Sequence, residues 1–284
     1  MELFKNKIFK FLVFVILTII LTILYARYIG TERFEVREYK VESTVLTQNF
    51  SGLKVIHFSD LLFGSTVDME DVKEMVNRIN ILKPDLVLFT GDLISSEYKI
   101  NDLEKDKLIE NLNNIDASIG KYAIYGDADY KIKTYESIMN KANFKVLDNS
   151  YDTVYYKDNN PLYIVGFPSS IKEKIKLDKG FEFYSDENRH YTIVMLHEGK
   201  GIKYLDESTY EVDLILGGHS LNGSIRLPLI GGLINSEDCY KYSNAHYEKG
   251  ITDIYISGGL GTNEYKFRLN NKSSINFYRL KAQS

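Results

Sequence analysis

The pattern that most constrains the fold lies between residues 53 and 90. Leu53–Phe58 is a predicted strand, and it stops at Ser59-Asp60. Residues 68–83 then carry apolar side chains at the spacing of an amphipathic helix, and Leu86–Thr90 is a second apolar strand. A strand, a helix and a strand in this order form a βαβ unit, in which the two strands pair in parallel. The sequence therefore predicts an α/β fold.

The same alternation continues through the rest of the chain. Further helices are predicted over Asp102–Ile119 and Tyr135–Ala142, with a short strand over Tyr122–Tyr125 between them. From Phe144 to Phe167 the periodicity changes to two, which predicts antiparallel strands. An edge strand or hairpin is predicted over Arg33–Gln48, before the βαβ unit. Other strands are predicted in the second half of the chain, over Tyr191–Leu196, Leu214–Gly217, Asp253–Ser257 and Ile275–Leu280.

Several predicted strands end at a residue that can bind a cation, namely Asp60, Asp92, Asp127, His197 and His219. In open α/β sheets, ligand sites lie outside the carboxyl ends of the strands. A single aspartate at such a position is usually a turn or capping residue, and a single histidine is usually structural. Three carboxylates brought together, however, repel one another unless they are protonated or bind a cation. Carboxylates and imidazoles together are ligands of Zn²⁺, Mn²⁺ or Fe, so the five residues predict a metal site.

An apolar segment at the N-terminus predicts a membrane anchor. Phe11–Ala26 is interrupted only by threonines and, when counted from Ile8, approaches the roughly 20 residues that a helix needs to cross a bilayer. A cleavable signal peptide is the alternative interpretation, but Tyr25-Ala26-Arg27-Tyr28 offers no small-x-small cleavage site. The absence of a polar face makes a buried helix of a soluble protein the weakest of the three interpretations.

We therefore predict a single-pass anchor in residues 1–30, followed by one domain in residues 31–284. Lysines that precede the apolar segment favour a cytoplasmic N-terminus, and hence a domain on the extracytoplasmic side of the cell membrane. Arg27, Arg33 and Arg37 on the other side weaken this charge bias.

Charge and cysteine content exclude other classes. The formal net charge is −4 and the pI is near 5.8, whereas nucleic-acid binding usually needs a basic face, so no nucleic-acid partner is predicted. Cys239 is the only cysteine, which excludes an intrachain disulfide and a cysteine-rich metal site.

The chain from about Leu53 to Leu280 resembles the calcineurin-like metallophosphoesterases, in particular their membrane-anchored bacterial branch. The motifs of that family run Asp-x-His, Gly-Asp, Gly-Asn-His-Asp, a single His, and Gly-His-x-His. The corresponding segments and a similar glycine-rich tail are Ser59–Gly64, Thr90–Asp92, Gly126–Asp129, Leu196–Glu198, Gly218–Leu221 and Ser257–Thr262. The resemblance implies a sandwich of two mixed β-sheets flanked by helices, with the site at one edge of the sheets.

The resemblance also implies a two-metal site, but this chain departs from it at the first metal. In the family, two metals about 3.5–4 Å apart hold the phosphate and generate the attacking hydroxide. The first metal's positions correspond to Asp60, Leu62, Asp92 and Leu221, so leucine replaces two histidines. Leucine fills similar space but has no lone pair to donate, and we expect this metal site to be lost.

The second metal's positions are better preserved. They correspond to Asp92, Asp127, His197 and His219, with aspartate in place of the family's asparagine. Two oxygen and two nitrogen ligands can still hold one divalent ion of Mn, Fe or Zn. Ala128 occupies the position of the family's catalytic histidine. Loss of such a group typically removes ~10²–10⁴-fold of rate, so no catalytic residue is predicted.

Three functions therefore remain open. We favour a degenerate (pseudo-)phosphoesterase that binds a phosphate-containing ligand or a partner outside the membrane, without efficient turnover. The alternative is an active phosphoesterase with one metal or a rearranged site, acting on a phosphomonoester, a phosphodiester or a lipid-linked phosphate. A structural domain tethered to the membrane is the third. A cation such as Arg226 near the phosphate would favour the active enzyme, although a structural salt bridge is an equal expectation for it. A packed Leu62–Leu221 contact would favour the other two functions.

The other histidines are not predicted to bind metal. His57 lies inside a strand, His190 lies in a charged segment, and His246 lies beside Tyr247, so we expect all three to be structural or exposed.

Overall fold

The computed structural model describes residues 6–32, 34–185, 187, 189–233, 237–239, 241–263 and 266–283. Residues 1–5 of the predicted anchor and Arg33 in its charged flank lie outside this part of the chain. The helices are α1 (Lys7–Tyr28), α2 (Met69–Leu82), α3 (Asp102–Asn113), α4 (Tyr135–Lys141), α5 (Leu177–Gly180) and α6 (Ile202–Asp206). The strands are β1 (Glu35–Ser43), β2 (Lys54–Phe58), β3 (Leu86–Phe89), β4 (Gly120–Ala123), β5 (Lys145–Val146), β6 (Ser150–Tyr155), β7 (Pro161–Gly166), β8 (Thr192–Met195), β9 (Leu214–Gly217), β10 (Arg226–Leu227), β11 (Gly231–Gly232), β12 (His246–Lys249), β13 (Thr252–Ile256) and β14 (Ser274–Ala282).

The strands form two six-stranded mixed sheets and a short hairpin. The first sheet has the order β1-β14-β2-β3-β4-β5, and its strands pair in parallel except for β14 with β2. The second has the order β12-β13-β9-β8-β7-β6, with antiparallel pairs at both edges and parallel pairs at its centre. The hairpin consists of β10 and β11.

The two sheets pack face to face and are covered by helices on their outer faces. Side chains alternate between the two faces of a strand, so Val55 and Leu88 point into the core between the sheets, where they join Ile193 and Leu216. Ile56 points the other way, into a cluster formed with α2, α3 and α4. A third cluster lies beneath α5 and α6 on the second sheet. The predicted fold, a sandwich of two mixed sheets flanked by helices, is confirmed.

The first βαβ unit follows from local sequence signals. The Asp68 side chain accepts hydrogen bonds from the N–H groups of Glu70 (2.8 Å) and Asp71 (3.1 Å), and the Asp71 side chain accepts one from Asp68 N–H, which forms a capping box at the start of α2. The helix buries Val72 and ends before Lys83, which adopts a left-handed conformation (φ 49°). The unit thereby brings the ends of β2 and β3 to one edge of the sheet.

Two local predictions are wrong. The helix predicted over Asp102–Ile119 ends at Asn113, because the Lys121 ammonium on β4 donates to the carbonyls of Asn113 (3.2 Å) and Ile115 (3.1 Å) and satisfies the end of the helix. Lys145–Val146 lies in the segment predicted to pair antiparallel, but it pairs in parallel with β4. The antiparallel pairing predicted for the rest of that segment is found between β6 and β7.

The N-terminal helix α1 is apolar and largely exposed. Its 22 residues span ~33 Å at 1.5 Å per residue, which matches the ~30 Å hydrocarbon core of a bilayer. Its mean hydropathy reaches 2.7, and Ala26 is the one buried residue among those described in the helix. By length and composition α1 can cross a membrane.

Candidate metal centre

The predicted metal ligands lie at the carboxyl ends of the central strands of both sheets. Asp60, Asp92 and Asp127 follow β2, β3 and β4, and His197 and His219 follow β8 and β9. Ligand atoms of Asp60, Asp92 and His197 lie within 4.8 Å of one another. Those of Asp127, His197 and His219 form a second such group, together with Glu198. His197 belongs to both groups, so the five predicted residues form one continuous cluster.

The hydrogen bonds of His197 orient its imidazole toward the carboxylates. Its Nδ1 lies 2.6 Å from the carbonyl oxygen of Thr90, and because a carbonyl can only accept, Nδ1 carries the hydrogen. In a neutral ring the lone pair is then on Nε2, which lies 3.5 Å from both Asp92 Oδ2 and Asp127 Oδ1. Among the described residues, this buried atom has no hydrogen-bond partner. A lone pair aimed at two carboxylates needs a cation or a proton between them, so the arrangement fits a metal ion.

The electrostatics of the site also favour a bound cation. Burial lowers the pKa of His197, but Asp92 and Asp127 outweigh burial and raise this pKa well above its usual value. The pKa of His219 is likewise raised, because Asp127 Oδ1 lies 3.3 Å from its Nδ1 and outweighs the effect of burial. Burial acts to raise the pKa of Asp127, but the two histidines outweigh it and hold this pKa well below its usual value. Positive charge is therefore stabilised between these groups, and a divalent cation would displace the ring protons.

Asp60 combines a structural hydrogen bond with a free oxygen. Its Oδ2 accepts from the backbone N–H of His219 at 3.0 Å, which ties the ends of β2 and β9 together. Its Oδ1 is buried and has no hydrogen-bond partner within the described part of the chain. Burial raises the pKa of this carboxyl group. A cation next to Oδ1 would supply the missing partner.

Glycine at position 218 permits this contact between the two sheets. A Cβ atom added to Gly218 would overlap Ser59 Oγ and would lie 2.6 Å from Asp60 Oδ2. The absence of a side chain thus lets the backbone before His219 approach Asp60 directly.

Asp129 holds two of the ligand-bearing loops together, a role that no sequence pattern identified. Its buried carboxylate accepts from the backbone N–H groups of Asp92 (2.8 Å), Leu93 (2.9 Å) and Gly126 (2.8 Å). Asp92 in turn accepts from Ala128 N–H at 2.8 Å through Oδ1, which leaves Oδ2 directed toward His197. Burial and the neighbouring Asp92 raise the pKa of Asp129, whereas the three backbone N–H groups lower it and favour the carboxylate.

Glu198 is a second residue whose place in the site was not predicted. It is buried next to His197, and its carboxylate accepts from the Ser170 N–H (2.7 Å), the Ser170 hydroxyl (2.9 Å) and the Ser169 hydroxyl. The only hint in the sequence is its position directly after a ligand. These bonds engage both carboxylate oxygens, so Glu198 fixes the loop after β8.

A cavity of about 520 Å³ opens onto the cluster. Asp92, Asp127 and His219 line it from the metal side. The three positions that depart from the family motifs, Leu62, Ala128 and Leu221, line the same cavity. Both leucine side chains are nearly buried in its wall, at 3% and 4% exposure, so hydrocarbon occupies positions where the resemblance places metal ligands.

Among the described residues, Lys266 is the basic side chain that lines this cavity, whereas Arg226 does not line it. The Arg226 guanidinium donates to the carbonyl of Asn222 at 2.6 Å and to Asn244 Oδ1 at 2.8 Å, so it stabilises the turn after β9. The cavity is lined by Lys266, which lies in a loop without any recognisable pattern. Within the described part of the chain Arg226 forms no salt bridge, and its hydrogen-bond partners are the carbonyls of Asn222 and Ser243 and the side chain of Asn244.

The remaining histidines lie in other environments. His57 is buried, its Nε2 lies 2.9 Å from Thr90 Oγ1, and burial lowers its pKa to about 3. His190 packs against the ring of Tyr163. His246 pairs with Asp253 at 2.9 Å in a partly exposed cluster. The structure thus places none of the three in the predicted site.

Comparison with known proteins agrees with this architecture. Residues 53–223, more than half of the chain, match the family model for calcineurin-like phosphoesterases. The metallophosphoesterase YkuE of Bacillus subtilis is 31% identical over 261 residues, which cover 91% of this chain and 89% of YkuE.

Two further relatives are more distant. The UDP-2,3-diacylglucosamine pyrophosphatase LpxG of Chlamydia muridarum is 24% identical, over 74% of this chain and 78% of LpxG. A transmembrane protein with a metallophosphoesterase domain from Danio rerio is 22% identical, over 81% of this chain and 53% of that protein. The matched residues, the extent of the YkuE alignment and the two-sheet fold establish that this chain belongs to the calcineurin-like metallophosphoesterase family.

Proposed function

We propose that this protein is a membrane-anchored, degenerate phosphoesterase that holds one divalent cation and binds a phosphate-containing ligand with little turnover. The observation that carries the proposal is the contrast within one cavity. On one side, the unpartnered Nε2 of His197 faces Asp92 and Asp127. On the other side, Leu62 and Leu221 line the wall.

The ligand set supports one cation rather than two. Asp92, Asp127, His197 and His219 offer two oxygens and two nitrogens, a combination that suits Zn²⁺, Mn²⁺ or Fe. The first metal's position keeps only Asp60 and Asp92, and two carboxylates without imidazoles hold such ions weakly. When bound, the cation would polarise a phosphoryl oxygen, whereas Ala128 supplies no group to protonate the leaving oxygen.

The open cavity favours a second candidate function, a hydrolase with a single metal. Asp127 and His219 line the cavity, so a ligand can reach the metal side, and Lys266 provides a positive charge for a phosphate. The substrates proposed for it are a phosphomonoester, a phosphodiester or a lipid-linked phosphate. The name of LpxG places one relative in the last of these classes.

The proposed arrangement in the cell keeps residues 1–30 as the anchor and residues 31–284 as the domain. The length of α1, its exposed apolar surface and the transmembrane relative support membrane association. We place the domain on the extracytoplasmic side, because Lys5, Lys7 and Lys10 precede the apolar segment that begins at Phe11. The acidic net charge supports neither nucleic acid nor a strongly acidic partner.

The test is metal analysis of the purified full-length protein, combined with assays on p-nitrophenyl phosphate and bis-p-nitrophenyl phosphate. We expect at most one tightly bound metal per chain and negligible turnover. His219→Ala should abolish metal binding, and His246→Ala, which alters a histidine in an exposed acidic cluster, should leave it intact. Two bound metals would contradict the proposed site.

A triple variant separates the two candidate functions. Leu62→His, Leu221→His and Ala128→His together restore the family's ligands and its catalytic histidine. We expect this variant to bind a second metal and gain hydrolysis of the two phosphate esters. Metal-dependent hydrolysis by the natural sequence, lost in His219→Ala, would instead establish the single-metal hydrolase.

A further inference from the structure

The hairpin formed by β10 and β11 carries an exposed apolar tip. Leu229 at its turn is fully exposed, Ile230 is 71% exposed, and Leu233 just after the hairpin is 51% exposed. Leu229 also has a left-handed backbone (φ 67°), a conformation in which leucine is uncommon. Contiguous apolar side chains rarely remain in water on a soluble surface, so this tip needs a partner.

Backbone hydrogen bonds connect the hairpin to the end of the membrane helix. The N–H of Arg268 donates to the carbonyl of Ala26 in the last turn of α1 at 2.9 Å. The next residue, Leu269, donates to the carbonyl of Ser224 (3.0 Å) and accepts from the N–H of Arg226 (2.9 Å) at the start of the hairpin. Adjacent chains bonded in this way lie ~5 Å apart, so the hairpin lies two chain spacings from the end of α1.

The same segment supports the metal centre. The buried Arg268 guanidinium donates to the carbonyls of Gly258 (2.8 Å) and Gly261 (2.6 Å), and the N–H of Gly261 donates to the Asp60 carbonyl at 2.8 Å. Ser224 and Lys266, on either side of the connection to α1, line the cavity. The last turn of α1 is thus joined to the sheet edge at which the candidate ligands lie.

We propose that the tip of the β10–β11 hairpin inserts into the bilayer surface beside α1 and holds the mouth of the metal-centre cavity at the membrane. The bilayer is the partner that fits, because the tip is uncharged, apolar and continuous with the chain segment bonded to the anchor. Apolar groups at such surfaces penetrate ~5–10 Å, to the boundary of headgroups and acyl chains. This inference rests on the proposed function only in that α1 is a membrane anchor, and it does not depend on metal binding or turnover.

The chain contains no tryptophan, so one introduced tryptophan reports on one position. Leu229→Trp is compared with Ile251→Trp, each in the full chain reconstituted in phosphatidylcholine–phosphatidylglycerol vesicles. Ile251 is 59% exposed and directly precedes β13, which runs parallel to β9, so it lies at the end of the sheet opposite the metal centre. We expect lipids brominated on their acyl chains to quench the emission of the Leu229→Trp variant several-fold more than that of the Ile251→Trp variant. Aqueous acrylamide should show the opposite order.

Other results would overturn the inference. Equal acrylamide quenching of the two variants would mean that the tip remains in water. Protection of the Leu229→Trp emission from both quenchers would mean that a protein surface, such as a second copy of this chain, covers the tip. Failure of the protein to float with the vesicles would remove the anchor on which the inference rests. Metal content, measured on the same samples, tests the proposed metal centre independently.

Discussion

Replacing Asp129 by asparagine should weaken both the fold and the metal centre, because the Asp129 carboxylate is the fully buried acceptor for three backbone N–H groups. The amide is isosteric but turns one oxygen into a donor. If its oxygen keeps the bonds to Asp92 and Gly126, its NH₂ group then faces the N–H of Leu93. Two buried donors remain unsatisfied at about 1–3 kcal/mol each, so we expect a loss of about 2–6 kcal/mol in unfolding free energy. Alanine would leave three N–H groups unsatisfied, at about 3–9 kcal/mol, which approaches the whole stability of a typical domain.

The assay is urea unfolding of the full-length protein in detergent, followed by calorimetric titration with Zn²⁺ or Mn²⁺. Because Asp129 positions the loop of Asp92, we expect Asp129→Asn to weaken metal binding ~10–100-fold, as is usual for residues that orient ligands. The control is Asp106→Asn on the exposed surface of α3, which should change stability by less than about 0.5 kcal/mol. An Asp129→Asn variant with unchanged unfolding midpoint and metal affinity would refute the assigned role.

Two further predictions concern the contact between the sheets and the pH dependence of stability. Gly218→Ala should weaken metal binding ~10–100-fold, because its methyl group would overlap Ser59 Oγ and crowd Asp60. The control is Gly201→Ala, which should leave metal binding unchanged because its methyl group would meet only apolar side chains, at 3.1 Å or more. Equal metal affinities of the two variants in the calorimeter would contradict the close approach at Gly218. Burial lowers the pKa of His57 from 6.5 to about 3, so the folded state favours the neutral ring. The resulting stabilisation of the folded state is present above pH 6.5 and is lost as the pH falls toward 3. Between pH 7.5 and pH 5 the natural protein should therefore lose about 2 kcal/mol more stability in urea unfolding than His57→Gln, and parallel pH profiles would show that His57 is not buried as the neutral form.

The sequence predicted those parts of the site that depend on strand order. Asp60, Asp92, His197 and His219 each follow a recognisable apolar run, and parallel strands bring their carboxyl ends to one edge. The contribution of Asp129 could not be predicted, because its partners Asp92 and Leu93 lie 37 and 36 residues earlier in the chain and meet it only after β3 and β4 pair.

The predictions for the periphery failed where a tertiary contact overrode a local signal. The end of α3 is set by the Lys121 ammonium, which reaches it from β4. Arg226 is held by carbonyls of the turn after β9 rather than by a phosphate. In both cases a long cationic side chain found backbone acceptors that no spacing rule in the sequence reveals.

Residues in both halves of the candidate metal centre share a left-handed backbone conformation. Asp60 (φ 48°), Asp92 (φ 62°) and His219 (φ 62°) all adopt left-handed conformations, and so do Leu62 (φ 46°) and Leu221 (φ 49°). Such conformations cost about 1–3 kcal/mol each and persist only where surrounding structure imposes them. Aspartate tolerates them through local hydrogen bonds, but leucine has no such compensation.

The strain at the two leucines is imposed by the loops that carry the ligands. The Leu62 N–H donates to the carbonyl of Asp92 at 3.0 Å, and the carbonyl of Leu221 accepts from Asn271 Nδ2 at 2.6 Å. Leu221 is also only two residues beyond His219. Neither leucine can relax to a preferred conformation without shifting a candidate ligand of the other half. We therefore infer that the proposed loss at the first metal position is confined to side chains, and that histidines introduced there would enter a backbone already held in place by Asp92 and His219.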